Sequence, residues 1–408
     1  MMKPLIVVES SCVGARYTGY AAQAIGYRPV FLTDPGFGQG ETHDQMAEFE
    51  VIHCDTGDTS DMLTALRNHG IDDAVAAISL CDTNIMSAVE LAERLDILSI
   101  NKHAKALKDK SYVYNLIPEY SPPSVVFDTK NIPFDSIAQL LEQHGRVLFK
   151  AACSAGGHGA FFADAIDEAV IAAKIRDSGI PAHLHPERWL AQAAIDGRLV
   201  SLEGYTHEGQ ARFLGFSGRR KIGMTESVVI FPVDDELPAP FAHQAKTAVT
   251  ALLGRSGFTN GYFHVEFMLG GDRAYLIDAN VGRIGGGGLS EQFAVAYGTT
   301  PEEIYKHILL LSLQGADAGG AALYAKRSRT TWSVMYGIPV QASIRNIALP
   351  DGFPNYHIRI LEYGTSVSPM GVDNYSWIGI VSGEAEQVEK YAPEIEIETS
   401  EGKYRAVF

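Results

Sequence analysis

Residues 262–283 read YFHVEFMLGGDRAYLIDANVGR. Their alternation predicts two antiparallel strands, Tyr262–Leu269 and Ala274–Ala279, joined by the tight-turn signal Gly270-Gly271-Asp272. Such a hairpin brings Glu266 and Asp278 near each other, and Asn280 falls on the same face as Asp278 because strand side chains repeat every two residues. Two facing carboxylates are costly unless a cation lies between them. Hard oxygen donors favour Mg²⁺, which commonly bridges protein carboxylates to nucleotide phosphates. The alternative is a carboxylate pair neutralised by arginines or turned to solvent. Asn280 to Gly288 then forms a loop holding five glycines and Arg283, whose guanidinium can stabilise charge developing on a carboxylate or phosphate.

Upstream, Lys150 closes the apolar strand Arg146–Lys150 immediately before Ser154-Ala155-Gly156-Gly157-His158-Gly159, and a further strand, Ala160–Ala163, follows. Glycines let backbone N–H groups surround phosphate oxygens while a lysine supplies a point charge. The loop is neither a Walker-type loop nor a helix-opening GxGxxG, and an ordinary glycine hairpin is the competing reading. Lys110 lies in Asp109-Lys110-Ser111 within a helical stretch running to Ile117, and Lys102, Lys105 and Lys108 read as its solvated basic face. His183 and His185 read as surface histidines, His264 as core-facing, and Cys153 and His158 as loop passengers.

Further out, PLIVV at 4–8, a small-residue helix Tyr17–Ile25 and the strand Pro29–Thr33 make a βαβ opening whose alternation continues to about residue 100. From Trp189 onward strands dominate, with helices Ala239–Leu253, Pro301–Leu313 and Glu384–Tyr391, a Gly/Ala-rich linker Gly315–Ala322, and strands near Ile358–Tyr363 and Trp377–Ser382. The expected fold class is α/β, α+β overall. It comprises an N-terminal parallel-sheet domain (1–105), a small lid lobe (106–190), a large lobe with a mixed or antiparallel sheet (191–315) and a C-terminal extension packing on it (316–408).

With 408 residues, 46% hydrophobic and 20% charged, the chain reads as a globular protein of several domains, which excludes disordered and fibrous classes. A net charge of −16 argues against nucleic-acid or membrane-surface partners, while leaving room for a small basic pocket. The four widely spaced cysteines include no CxxC pair, and neither a signal-peptide core nor a membrane span is read, so a cytoplasmic setting is expected. A homodimer is the commonest prior for a soluble oligomer.

In order, these motifs resemble the ATP-grasp superfamily of carboxylate–amine ligases over about residues 5–315. Gly223-Met224-Thr225-Glu226-Ser227 and Gly364-Thr365-Ser366-Val367 look like the L-amino acid ligases that make dipeptides, typified by bacilysin synthetase. The resemblance implies that Lys110 and Lys150 hold ATP phosphates and that Gly156, Gly157 and Gly159 form a mobile lid. It implies that Gln192, Ala193, Ala194 and Ile195 meet adenine. Glu266 and Asp278 would bridge two Mg²⁺ ions, with Asn280 assisting and Mn²⁺ an acceptable substitute. Arg283 would steady the acyl phosphate, beside Gly286 and Gly287, and Glu226 would meet the amino group of the first amino acid. The chain departs from the pattern at four places: Gln192 and Asp278 stand where Glu is usual, Leu199 replaces the ribose-binding acid, and Arg283 comes one residue late. The activity implied is ATP-dependent amide formation through an acyl phosphate, releasing ADP and phosphate. The rivals are bicarbonate activation or a purine-pathway ligation, an inactive nucleotide-binding protein, and a Rossmann oxidoreductase, the last lacking GxGxxG after the first strand.

Overall fold

The computed structural model describes residues 2–10, 14–36, 41–100, 102–154, 157–184, 186–223, 225–327, 329–353, 356–373 and 376–408. The apolar run β1 (Pro4–Val8) is buried along its whole length because it is a central strand covered on both faces. It pairs in parallel with β2 (Arg28–Thr33) and with β4 (Ala76–Ile78), while β3 (Glu50–His53) extends the sheet to the order β3-β2-β1-β4. Strand periodicity splits β1 cleanly. Ile6 and Val8 pack under Met62, Leu66, Ala88 and Leu91 from the helices Thr59–Asn68 and Ile85–Leu95. Leu5 and Val7 face the opposite way, into a core shared with Phe293, Ile304 and Ile308, so this first sheet is fused to the body of the molecule. Each such side chain contributes about 1.5–3 kcal/mol when fully buried.

The second sheet has the order β5-β8-β6-β7, built from β5 (Ser124–Asp128), β6 (Val147–Ala151), β7 (Phe161–Ala163) and β8 (Arg188–Ala193), all antiparallel. Phe149, Trp189 and Phe127 fill its core with Ile137 and Ile171 from the helices Phe134–His144 and Glu168–Arg176. The expected division between residues 190 and 191 falls inside β8, which pairs with both β5 and β6.

The third sheet, of eight antiparallel strands, uses β9 (Arg198–His207), β10 (Gln210–Ile222), β11 (Thr225–Phe231), β12 (Gly261–Gly270), β13 (Arg273–Val281) and β14 (Thr331–Tyr336). A fourth sheet contains β15 (Ala342–Ala348), and its neighbours follow later in the chain. Between them lies β16 (Tyr356–Arg359), the edge strand of the eight-stranded sheet, ahead of the short β17 (Ser366–Val367). After β18 (Gly379–Glu384), which joins β14 to β16, β19 (Glu396–Thr399) and β20 (Gly402–Arg405) complete the fourth sheet in the order β17-β15-β19-β20. The eight strands run β13-β12-β9-β10-β11-β14-β18-β16, so strands from beyond residue 316 lengthen the sheet that β9 to β13 begin. Among the described residues no helix is long and apolar enough to cross a membrane.

Candidate functional site

Strand pairing sets Glu266 opposite Asp278 and His264 opposite Asn280, at the β13 edge of the eight-stranded sheet. The ladder shifts between Glu266 and Phe267, a bulge of the kind that re-aims side chains beside functional sites. Lys110 reaches this edge from the helix Lys110–Leu116. Asp109 starts that helix, its carboxylate accepting from the backbone N–H of Ser111 at 2.8 Å and of Tyr112 at 3.3 Å. Lys110 Nζ lies 3.2 Å from Asp278 Oδ1 and donates to the Ser154 carbonyl at 3.3 Å.

Lys150, on β6, donates to the Tyr114 hydroxyl at 2.8 Å and to the Ile277 carbonyl at 3.0 Å, which stitches the second sheet to β13. The Tyr114 hydroxyl also lies 2.8 Å from Gln192 Oε1 and 3.0 Å from the Ile277 carbonyl. Its single proton serves one of these two acceptors at a time. Burial pushes the Lys150 pKa down to about 7, and the neighbouring Lys110 charge adds to the effect. Burial works against the Lys110 charge too, but the carboxylates of Asp278 and Asp82 outweigh it and hold that ammonium above its ordinary pKa.

The helical stretch expected across Lys102 to Ile117 is two short helices, Ala104–Leu107 and Lys110–Leu116. Lys108 lies between them and corrects a sequence expectation: it is not on a solvated face but buried, 2.6 Å from Asp82 Oδ1. Asp82 follows β4 of the parallel sheet, and the same oxygen lies 3.1 Å from Arg283 Nη2. Arg283 also donates to Asn280 Oδ1 at 2.8 Å and to the Ile284 carbonyl at 3.1 Å. Burial opposes ionisation of Asp82, yet Arg283 and Lys108 hold its carboxyl well below the usual range. Lys108, Lys110, Lys150 and Arg283 thus gather around three carboxylates, Asp82, Asp278 and Glu266. Lysines and an arginine brought together in this way are suited to a polyanion.

A second knot lies along the sheet. Arg219, on β10, places Nε 3.1 Å from Glu226 Oε2 and Nη2 3.4 Å from Glu266 Oε1 and 3.0 Å from His264 Nε2. His264 is buried, as expected, and its Nδ1 stands 2.8 Å from Glu203 Oε1. That carboxylate raises its pKa to about 9 against the opposing effect of burial. Burial would raise the pKa of Glu266, but His264 and Arg219 bring it down to about 2.

Of the other expected site residues, Gly157 and Gly159 lie in the turn after β6 with φ of +73° and +70°, a region open to glycine, and Gly156 falls outside the described residues. Met224 of the Gly-Met-Thr-Glu-Ser motif and His185 also fall outside them. Gln192 is buried, and the N–H groups of Ala193 and Ala194 donate to the Pro123 and Arg146 carbonyls at 2.8 and 3.0 Å, with Ile195 just beyond β8. Gly286 and Gly287 sit in the loop that carries Arg283, and a methyl group added at Gly286 would meet nothing within 4 Å. His183 is half-buried, its Nε2 3.1 Å from the Thr83 carbonyl, and Cys153, expected as a loop passenger, is buried at the end of β6.

Sequence reasoning missed Tyr114, Asp82 and Arg219. Tyr114 had a signal, since it follows Lys110 by one helical turn and shares its face. Asp82 also had one, standing at the carboxyl end of a parallel strand, where open α/β sheets collect ligand groups. Arg219 had none within the run Arg219-Arg220-Lys221.

Among the described residues no cluster of three His, Cys, Asp or Glu side chains is arranged for a metal. Strand register nevertheless puts the Glu266 and Asp278 carboxylates opposite each other beside the Asn280 amide, oxygens that now face Arg219, Lys110 and Arg283 respectively. Hard oxygen donors of this kind are those that would suit Mg²⁺, with waters and phosphate oxygens as its remaining ligands.

The fold is the ATP-grasp fold. The structure is similar to an L-amino acid ligase from Bacillus licheniformis, with a TM-score of 0.71 at 15% identity over 95% of each chain. It is similar to a phosphoribosylglycinamide synthetase from Anaerococcus prevotii, with a TM-score of 0.69 at 16% identity over 97% of this chain and 99% of that one. It is similar to the biotin carboxylase domain of the Hydrogenobacter thermophilus 2-oxoglutarate carboxylase, a structure in complex with MgADP, ADP and bicarbonate. Here the TM-score is 0.69 at 15% identity over 98% of this chain and 91% of that one. No protein-family model and no curated protein matches the sequence.

Proposed function

We propose that the protein is an ATP-dependent ligase that joins an amino acid, or an amino-acid-like carboxylate, to an amine. The observation that carries this reading is the meeting of Lys110 and Lys150, from the first half of the chain, with Asp278 and the Ile277 carbonyl from the second. A carboxylate is a poor electrophile, and amide formation in water is uphill. In the proposed reaction a carboxylate oxygen attacks the γ-phosphorus of ATP, the bond to the β–γ bridging oxygen breaks, and ADP leaves with that electron pair. An unprotonated amine then attacks the acyl phosphate, its carbon–oxygen bond breaks, inorganic phosphate departs and the amine nitrogen loses a proton.

Lys110 and Lys150 would hold the phosphates, and Arg283, fixed by Asn280 and Asp82, would face charge developing on the acyl group. Glu226 would meet the amino group of the acid. Mg²⁺ held by Glu266, Asp278 and Asn280 would supply charge neutralisation at the phosphates. The loop carrying Gly157 and Gly159 would close over the site, since water would otherwise hydrolyse the acyl phosphate.

The test is incubation of the full chain with ATP, Mg²⁺ and pairs of amino acids. Pair-dependent phosphate release with an amide product supports the ligase reading. Phosphate release that depends on bicarbonate and ignores the amine overturns it in favour of bicarbonate activation. Tight ATP binding without turnover on any pair, unchanged by Glu266→Gln, overturns it in favour of a nucleotide-binding protein without catalysis.

A further inference from the structure

Along one face of the eight-stranded sheet the chemistry changes from acidic to apolar. Arg219 stands opposite Val229 in the β10–β11 ladder, Val229 opposite Ser333, and Met335, two residues on, opposite Ile380. Val229, Met335 and Ile380 form a small buried cluster apart from the large cores. Ile360 and Trp377 pack on it while keeping part of their surface accessible. Trp377 is held there by its Nε1, which donates to the Glu226 carbonyl at 2.7 Å. The glycine loop comes down over the same patch: a methyl group added at Gly287 would lie 3.6 Å from both Met335 Sδ and Val229 Cγ2.

At the acidic border of this strip the Arg219 side chain is only 8% exposed, and its Nη1 has no hydrogen-bond partner among the described residues. Nε and Nη2 already face Glu226 and Glu266, so the guanidinium is fixed in direction with one nitrogen, the NH2 group of Nη1, left over. A buried donor in that state needs an acceptor, and a carboxylate answers a guanidinium best. The adjacent Glu226 carboxylate, 3.1 Å from Arg219, offers the opposite charge. An α-amino acid carries its carboxylate and its ammonium on a single carbon, and so presents two opposite charges at a matching short separation. The two serine hydroxyls beside the apolar cluster, Ser333 and Ser382, are bonded to each other and so are poorly placed to solvate a charged side chain.

Resting on the ligase reading above, we propose that this strip binds the acid to be activated and selects an α-amino acid with an apolar side chain. The carboxylate meets Arg219, the amino group meets Glu226, and the side chain lies on Met335, Ile360, Trp377 and Ile380.

The experiment is a calorimetric titration of the full chain, first with Mg²⁺ and the β,γ-imido analogue of ATP. The loaded protein is then titrated separately with L-leucine, L-methionine, L-serine, L-aspartate and L-lysine. Leucine and methionine are expected to bind at least tenfold more tightly than the three polar amino acids, the range a hydrophobic pocket supplies. Arg219→Gln, titrated at nucleotide concentrations shown to saturate it because Arg219 also faces Glu266, is expected to weaken leucine binding at least tenfold. Trp377→Ala is expected to shrink the leucine-to-serine ratio at least threefold. Arg219→Lys keeps the charge and the aliphatic stem but loses the planar fork, so it guards against a folding defect and is expected to cost at least threefold for leucine. Aspartate or lysine binding as tightly as leucine, no loss on either Arg219 substitution, or no amino acid binding to the nucleotide-loaded protein overturns the inference. Phosphate release driven by a polar acid overturns it while leaving the ligase reading intact, whereas failure to bind the nucleotide at all overturns both.

Discussion

Asp82 Oδ1 stands 3.1 Å from Arg283 Nη2, an ion pair between the parallel sheet and the loop that follows the acidic hairpin. The guanidinium is thereby held from two sides, by Asp82 and by the Asn280 amide. Asp82→Asn keeps the shape and removes the charge. In the ligase assay it is expected to lower kcat by about 100-fold, the scale of a small misplacement at a reacting centre, with nucleotide affinity within about twofold. Asp82→Glu is expected to recover part of that loss, which a purely structural role for Asp82 would not produce. The same Asp82→Asn change leaves Lys108 buried without a counter-charge, so urea unfolding is expected to show a loss of about 3 kcal/mol.

Lys150 gives the site a pH dependence of predictable sign. Burial and Lys110 bring its pKa to about 7 in the free protein, below the ordinary lysine value. Phosphates favour the ammonium, so nucleotide binding above pH 7 takes up a proton and weakens as pH rises, by up to about tenfold per unit. Titrations in two buffers of different ionisation enthalpy measure that proton directly, and Lys150→Met is expected to abolish both the uptake and the slope. The stability of the free fold moves the other way. Above pH 7 the unfolded chain binds the proton that the folded chain has released, so this residue's contribution to stability grows with pH towards the ordinary lysine pKa.

Glu291 supplies the opposite case, away from the site. It is fully buried in the first turn of the helix Leu289–Tyr297, with Ser290 Oγ donating to it at 2.7 Å. Burial, and to a smaller extent Glu302, carries its pKa up to about 7, while Ser290 and Tyr17 pull it down. The folded state keeps a proton that the unfolded state gives up as pH rises from about 4.5 to 7, and stability falls across that window by about 3 kcal/mol. Glu291→Gln is expected to remove this loss. Thermal unfolding at pH 8 should show the variant more stable than the parent, and at pH 5 the two should nearly coincide.

Gly285 is tied to the site by space. A methyl group added there would lie 2.6 Å from His264 Nδ1, the atom that faces Glu203. Gly285→Ala is therefore expected to push the glycine loop off the imidazole at a cost of about 1–3 kcal/mol. It should reduce turnover more than nucleotide affinity, read by comparing kcat with the dissociation constant for the ATP analogue.

The hairpin that pairs Glu266 with Asp278 is legible in sequence because alternation and a Gly-Gly-Asp turn are local properties. Lys108 is not. Its immediate neighbours in sequence resemble those of the partly exposed Lys105, and only Asp82, arriving from another sheet, makes burial tolerable. Tyr114 was within reach through its spacing from Lys110, whereas Arg219 sits in a basic run where spacing singles out no member. The C-terminal strands carry a weak local signal. Glu396–Thr399 and Gly402–Arg405 carry mostly polar residues and are recognisable as strands only through their pairing with each other and with β15. The Gly/Ala-rich stretch before β14 likewise reads as linker although Gly320–Leu323 is helical.

The lysines of the site lie before residue 151, and the hairpin carboxylates and Arg283 lie beyond residue 265. During synthesis Lys110 and Lys150 therefore leave the ribosome long before Asp278 exists, whereas Lys108 follows its own counter-charge, Asp82. Until Arg283 has emerged, the nascent chain has its first two sheets but only part of the proposed nucleotide site, so on that reading nucleotide cannot act as a folding template for the first half. A premature stop upstream of the hairpin would release a fragment in which Lys110 lacks Asp278 and Asp82 lacks Arg283, a substrate for proteolysis rather than a weaker enzyme.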